Sequence, residues 1–404
     1  MTPRNSLTAS ELADLHCELA RRLAEVGLAS QPPIAARILD LTKDPTTGLN
    51  EYAKVIRHDP ALSGRLIRLA NSAFFAQRKP VTNVDRACVL LGLDRLRSVA
   101  LGFYLSRGAA TEADQRLSRE VWSQSLYRAC LAAEIARSQA PTLVSEAFVI
   151  GLMLDAGIPL THALLGGPFK SVYRRGLPPM KMHHAELAEL PYTHVDVVGV
   201  LTRRWRFPDL LSKPIEWHHT PPGAGGRQDP VHALHRIAYY VGSIVLCADG
   251  APAQRAPMAA AAEAHLGLDA GRLAAMVAQA TGEYSAVVEL FSEVADALEA
   301  SRLASAVHQQ LVDVLDEQMA SEIADATRPR PQQFRLGGLT ITLRPDSDGL
   351  GTAYTYDSSG EPLSTYRFIF ASETVESLRE ALGLESDARD DADAISEYLT
   401  KLAA

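Results

Sequence analysis

For the first three-quarters of the chain, apolar residues return every three or four positions, the spacing of helices with one buried face. Over residues 8–28, Leu12, Leu15, Leu19, Leu23 and Val26 share such a face, and Gly27 is a natural stop. Pro32 and Pro33 open a second helix carrying Ile34, Ile38 and Leu41. Asp59 before Pro60 is a start signal, a capping acceptor followed by a residue with preset φ, and Leu62, Leu66 and Leu69 then form a stripe. Thr82 and Asp85 have the spacing of a capping box, Gly92 ends that helix, and Asp94 can cap the next. The helical period continues to about residue 325, broken at "GGPFK" and "HHTPPGAGG", and no strand is expected before that point. Phe291, Val294 and Leu298, then Val307, Leu311 and Val314, suit either a coiled-coil seam or a helix packed on its own domain, the second being favoured.

The period then changes. "ATRPRPQQ" is polar and twice interrupted by Pro, as linkers are. After it Leu339, Ile341 and Leu343 alternate with Thr340, Thr342 and Arg344, a strand pattern. The two-residue period returns at Tyr354 and Tyr356, and at Tyr366, Phe368 and Phe370, on either side of the hairpin-like "DSSGEP". Ser372 is placed to cap a helix using Val375, Leu378 and Leu382, and a second amphipathic helix follows. The expected fold is mainly α: a helical domain over 1–250, a helical extension or connector over 251–325, a linker over 326–333 and a small α+β domain over 334–404.

Composition narrows the class. Of 404 residues, 47% are hydrophobic and 22% charged, as in ordinary globular proteins. A net charge of -8 argues against a general nucleic-acid binder. Cys17, Cys88, Cys130 and Cys247 are scattered without a C-x-x-C pair, so buried reduced thiols are expected and a disulfide framework is not. No signal-peptide pattern opens the chain and no apolar run reads as membrane-spanning, which gives a cytoplasmic expectation without membrane insertion.

Two blocks carry a family resemblance: "DPALSGRLIRLANSAFFAQRKPVTNVDRACVLLGLDRLRSVAL" and "HVDVVGVLTRRWRFPDLLSKPIEWHHTPP", with "VWSQSLYRACLAAEIAR" and "GLMLDAGIPL" between them. In this order they resemble the HDOD domain, an all-helical regulatory relative of the HD phosphohydrolases in bacterial signalling proteins. The resemblance spans roughly residues 15–250 and leaves the tail unassigned.

The resemblance also implies where an active HD enzyme would carry metal ligands: Gln124, Leu154, Asp155, His194, the pair His218 and His219, and Tyr239. Gln124 is a weak neutral ligand, Leu154 has no donor atom, and the Tyr239 phenol stays protonated at neutral pH. A protein without catalysis, bound metal or cofactor is therefore expected, with Asp155 a hydrogen-bonded structural group and His218–His219 a capped helix end. The candidate binding set is Arg65, Arg68, Asn71, Gln124, Asp155, His194, His218 and His219, joining the remnant pocket to the best-matched helix. Arg95, Arg97 and Ser72 lie nearby, but Arg65 and Arg68 suit a solvated face, and Asn71 and Ser72 a helix end. Arg203, Arg204 and Arg206 flank Trp205, a weak cue for single-strand stacking against a core-anchoring Trp.

No Walker A loop, dinucleotide fingerprint or nucleophile elbow is present. The leading expectation is a non-catalytic signal-transduction module that binds protein partners or a small regulatory ligand, a nucleotide second messenger and a homodimer being further options. The alternative is a divergent metal-dependent phosphohydrolase acting on a nucleotide or cyclic dinucleotide.

Overall fold

The computed structural model describes residues 3–28, 41, 46–58, 60–71, 80–93, 96, 112–173, 177–204, 207–223, 229–244, 246, 266–288, 331–345, 350–357, 360–387 and 389–403. All described strands lie beyond residue 331, and the described segments before it are helices joined by turns and short loops. The Pro32–Pro33 helix, the Asp59 and Asp94 caps, and the seam from Phe291 to Val314 fall outside the described residues.

Among the described residues the main core of the helical part runs from Leu19 to Val288, and Ala70, Val81 and Ala87 form a small satellite beside it. Helix α1 (Ala9–Leu28) buries Leu19 and Leu23, while Leu12 and Leu15 are half-buried. Short helix α2 (Leu49–Ile56) buries Tyr52 and Ile56. Helix α3 (Pro60–Ala70) buries the expected stripe: Leu62, Leu66 and Leu69 are each at most 1% exposed. Helix α4 (Val84–Leu91) ends at Gly92 with φ 73°, as its sequence suggested. Its cap is Asn83 rather than Thr82. The Asn83 side chain accepts the Arg86 N–H, and Asp85 pairs with Arg57 at 2.7 Å.

The centre of the domain is α5 (Glu112–Gln139), whose residues from Leu126 to Ala133 are all buried. A helix apolar on all sides must be enclosed. Around it pack α6 (Val144–Met153), α7 (Gly157–Leu165), α12 (Pro230–Gly242) and α13 (Ala270–Val288). The α5–α6 crossing is close: a Cβ at Gly151 would lie 2.7 Å from the Ala129 Cα. Helix α13, from the expected connector, joins this core; Tyr284 meets Tyr127 edge-on and Glu283 binds Arg137 at 2.7 Å. The stretch Pro141–Leu165, which contains α6 and α7, is long and apolar enough to cross a membrane, which the sequence reading overlooked. Its most apolar window is 67% buried inside the protein, as a core segment would be.

Four more helices complete the part that holds the site: α8 (Gly167–Val172), α9 (Pro179–Glu189), α10 (His194–Arg204) and α11 (Asp209–Glu216). Cys88 and Cys130 are buried as expected, but Cys17 is exposed on α1, and Cys247 lies outside the described residues.

The C-terminal part is an antiparallel sheet in the order β1 (Gln332–Leu336), β2 (Leu339–Pro345), β3 (Leu350–Tyr356), β4 (Pro362–Ile369), followed by α14 (Val375–Leu382) and α15 (Ala392–Ala403). Ile341, Leu343, Ala353, Phe368 and Phe370 form a second core with Leu378, Ile395 and Leu399. Phe370 begins a short 3-10 turn, Phe370–Ser372, instead of extending β4. Ser372 therefore does not cap α14; Thr374 does, accepting the Ser377 N–H.

Strand β3 is buried along most of its length, Tyr354 and Tyr356 included. Their face turns toward the helical domain, where the Tyr356 hydroxyl donates to the Pro221 carbonyl at 2.7 Å. Both carboxylate oxygens of Glu361, in the β3–β4 connection, lie 3.1 Å from Lys213 Nζ on α11. The sheet thus rests on the loop that follows α11.

Candidate functional site

Asp155 stands in the turn between α6 and α7, the middle of "GLMLDAGIPL", and its carboxylate receives the Arg128 guanidinium from α5. Arg128 is fixed further by the carbonyls of Val241 at 3.2 Å and Ile244 at 3.1 Å. Gln124 lies one helical turn before Arg128, so the two start from the same face of α5. Leu154 is fully buried, and a Cβ at Gly242 of α12 would sit 3.5 Å from its side chain and 3.1 Å from that of His218. Tyr239, one turn earlier on α12, is also buried.

His194 is the first residue of α10, a position set by a reciprocal cap. Thr193 donates its N–H and hydroxyl to Asp196, and Asp196 N–H returns to the Thr193 hydroxyl. Arg4 and His16 hold Asp196 from the N-terminal segment. Helix α9 then presents Glu186, which accepts the His194 backbone N–H at 3.1 Å and Nδ1–H at 2.6 Å. His218 and His219 follow the end of α11, and His218 Nδ1–H donates to the Ile215 carbonyl at 2.6 Å. The helix-end role expected for this pair is thus present for His218.

These bonds aim the other ring nitrogens at one point. His194 Nε2 lies 3.2 Å from His219 Nε2 and 3.9 Å from Asp155 Oδ1. His218 Nε2 lies 3.8 Å from the same carboxylate oxygen and makes no hydrogen bond. One ligand atom from each of Asp155, His194, His218 and His219 falls within 4.8 Å of all the others, and all four residues are buried. A second group, His183, Glu186 and His194, adjoins the first, with the His183 ring stacked on His219 at 4.6 Å.

Electrostatics follow from burial and partners. Burial would raise Asp155, but Arg128 and the neighbouring histidines hold it well below the usual carboxylate range. Burial would likewise raise Glu186, and His194 and His183 bring it down to about 2. Burial opposes charge on His194, yet Glu186 beside it lifts its pKa above the ordinary value. His218 and His219 are pushed down by burial and by their histidine neighbours, so both are neutral at pH 7.

The structure therefore brings together four of the residues singled out from the sequence: Asp155, His194, His218 and His219. Arg68 is exposed on α3. Asn71 closes that helix, its amide bonded to the carbonyls of Ile67 and Val81 and to the Val81 N–H. The Arg65 side chain, Ser72, Arg95, Arg97, Trp205 and Arg206 lie outside what is described. Arg203 and Arg204 are used internally, by Glu216 at 3.0 Å and the Ala20 carbonyl at 3.2 Å. Sequence reasoning missed Arg128, His183 and Glu186.

The cluster is a compact set of three imidazoles and one carboxylate, and Leu154, next to Asp155 in the chain, is fully buried and has no donor atom.

Comparison with known proteins agrees with the sequence resemblance. The family model of the HDOD domain matches residues 28–221. Among solved structures, an HDOD domain protein of unknown function from Geobacter sulfurreducens is 20% identical, the alignment covering 69% of this chain and 99% of that one with a TM-score of 0.44. A candidate metal-dependent phosphohydrolase from Shewanella amazonensis SB2B is 16% identical, with 70% and 99% covered and a TM-score of 0.45. A candidate signal transduction protein from Marinobacter aquaeolei VT8 is 20% identical, with 76% and 67% covered and a TM-score of 0.43. No curated protein shows significant similarity to the chain. From the ordered sequence blocks, the helical core and the family match together, residues 28–221 are an HDOD domain.

Proposed function

We propose that this chain is a non-catalytic module of a bacterial cytoplasmic signalling circuit, working through protein partners or a small regulatory ligand. The observation that carries the reading is the burial of the cluster: His194, His218, His219 and Asp155 are 0%, 1%, 4% and 6% exposed. A catalytic metal keeps an open position for water and substrate, and a nucleotide needs a path to it. In addition, the cluster's one carboxylate already neutralises Arg128, a permanent cation.

The reading is tested with purified full-length protein, Mn²⁺ or Mg²⁺, and a cyclic dinucleotide. No turnover is expected. The competing reading, a divergent phosphohydrolase, draws its support from the convergent histidines and Asp155. Metal-dependent hydrolysis that disappears in Asp155→Ala would establish that enzyme and end the non-catalytic reading.

A further inference from the structure

We propose that the C-terminal sheet is a detachable cover over the cluster of Asp155, His194, His218 and His219, and that lifting it opens the histidines to solvent. The proposal goes beyond the non-catalytic reading, since it concerns what closes the cluster and not what the cluster does.

The two faces of the sheet differ in kind. One sends Ile341, Leu343, Ala353 and Phe368 into the core shared with α14 and α15. The other is an array of Thr, Tyr and Arg. Register sets Arg344 of β2 and Arg367 of β4 on either side of Thr352, and Thr342 and Thr365 on either side of Tyr354. An antiparallel sheet with one such polar face commonly turns it to water. Here Thr352, Tyr354 and Tyr356 are each at most 3% exposed.

The contacts of this face bracket the cluster. At one end of β3 the Tyr356 hydroxyl donates to the carbonyl of Pro221, which follows His219 closely in the chain. A Cβ at Gly223 would stand 3.5 Å from the Tyr356 ring and 3.3 Å from the Gly360 carbonyl oxygen. At the other end Arg367 and Arg344 face His184 of α9. Burial, then the charges of His183 and of these two guanidiniums, lower the His184 pKa to about 3. His184 adjoins His183, whose ring stacks on His219. One end of the strand is thus anchored beside His183 and the other beside His219, so the strand crosses their stacked rings. Lys213 and Glu361 tie the sheet to α11, on the other side of His218.

The contact can separate without breaking either part. The hydrophobic cores of the helical part and of the sheet are distinct among the described residues, and neither includes Tyr354 or Tyr356. A hydroxyl–carbonyl bond and a partly exposed ion pair join them instead. Polar contacts of this kind between domains permit relative motion, whereas large apolar ones hold domains together. Lifting the sheet would expose Thr, Tyr and Arg side chains, which water solvates, and leave the second core intact.

The test is modification of the full chain by diethyl pyrocarbonate near neutral pH, read histidine by histidine by mass spectrometry. Exposed His58 is the rate reference, and buried His162 on α7 is the control for general loosening. Two variants lift the cover without touching the cluster. Tyr356→Phe combined with Glu361→Lys removes both cross-domain bonds, and Gly223→Trp drives a ring against Gly360. The lost hydrogen bond and the reversed ion pair shift the closing equilibrium by about tenfold or more. Modification of His184 and His219 should accelerate by about that factor in both variants, while His162 stays slow. Unchanged rates at His184 and His219 in both folded variants would overturn the cover. So would equal acceleration at His162, or wild-type His219 reacting as fast as His58. Labelling is read without any turnover, so the cover and the non-catalytic reading fail separately.

Discussion

The Cα of Gly157 lies beneath the backbone of His194 so closely that a Cβ there would fall 2.1 Å from the His194 carbonyl oxygen. Atoms of a backbone carbonyl cannot rotate away as a side chain can, so this contact fixes the depth at which α7 meets the start of α10. Gly157→Ala must push the two apart and move His194 away from Asp155. Overpacking of this kind costs about 1–3 kcal/mol and sometimes more. A lower denaturation midpoint is expected, corresponding to a loss of unfolding free energy of about that size. Gly167→Ala, where a Cβ meets nothing within 4 Å, is the control and should be neutral or slightly stabilising. Equal midpoints for the two variants would remove the contact as a determinant of the site.

Arg128 and Asp155 form a buried pair, their side chains 3% and 8% exposed. Removing one partner of such a pair strands the other, at about 3–5 kcal/mol. Arg128→Met should therefore destabilise the helical domain by that order. Adding Asp155→Asn should recover part of the loss, because the stranded charge is gone. Equilibrium unfolding of the parent, both single variants and the double variant gives the coupling energy. Additive losses would mean that the two side chains do not act as a pair.

Local pattern made much of this fold legible. Leu62, Leu66 and Leu69 show on which face α3 is buried, and Ile341 with Leu343 show the inner face of β2. Caps were less exact. Thr82 and Ser372 stand one and two residues from the true caps, Asn83 and Thr374, because capping follows whichever residue takes extended φ and ψ at the helix start. The family resemblance supplied Asp155, His194, His218 and His219, which no local period would group. Glu186 precedes His194 by eight residues across a helix–helix connection, where no spacing rule applies. Arg128 had a usable signal: a lone Arg in a run of apolar residues, four positions after Gln124 and so on the same helical face.

The sheet and the helical domain meet through Tyr356 and Pro221 and through Lys213 and Glu361. The tyrosine is 3% exposed and its hydroxyl has a carbonyl acceptor, so Tyr356→Phe loses a buried hydrogen bond worth about 0.5–1.5 kcal/mol. Lys213 and Glu361 are 31% and 27% exposed, which limits their pair to about 1 kcal/mol or less. Hydrogen exchange of the amides around Thr220 and Gly360 should accelerate more in Tyr356→Phe than in Lys213→Ala, and added salt, which screens only the ion pair, should widen the gap. Faster exchange in Lys213→Ala would reverse this ranking of the two contacts.

Asp390 is the polar joint of the C-terminal domain. Its carboxylate accepts the Gly337 N–H at 2.7 Å from the β1–β2 turn, the Arg379 guanidinium at 2.8 Å from α14, and the Asp387 N–H at 3.1 Å. The side chain is 3% exposed. Burial alone would raise its pKa, but the Asp387 N–H, Arg379 and the Gly337 N–H together hold it below the ordinary value. A carboxyl whose folded pKa is depressed stabilises the fold fully above its unfolded pKa of about 3.9. That contribution fades as pH falls through the folded value, where the native carboxylate takes up its proton. Protection of the β-strand amides against hydrogen exchange should therefore fall as the protein is taken from about pH 6 to about pH 3, after correction for intrinsic exchange. Asp390→Asn keeps the shape and removes the charge, so it should lose about 1.5–3 kcal/mol near neutrality and show a shallower acid dependence. Identical acid profiles in parent and variant would show that this carboxylate does not govern the stability of the sheet.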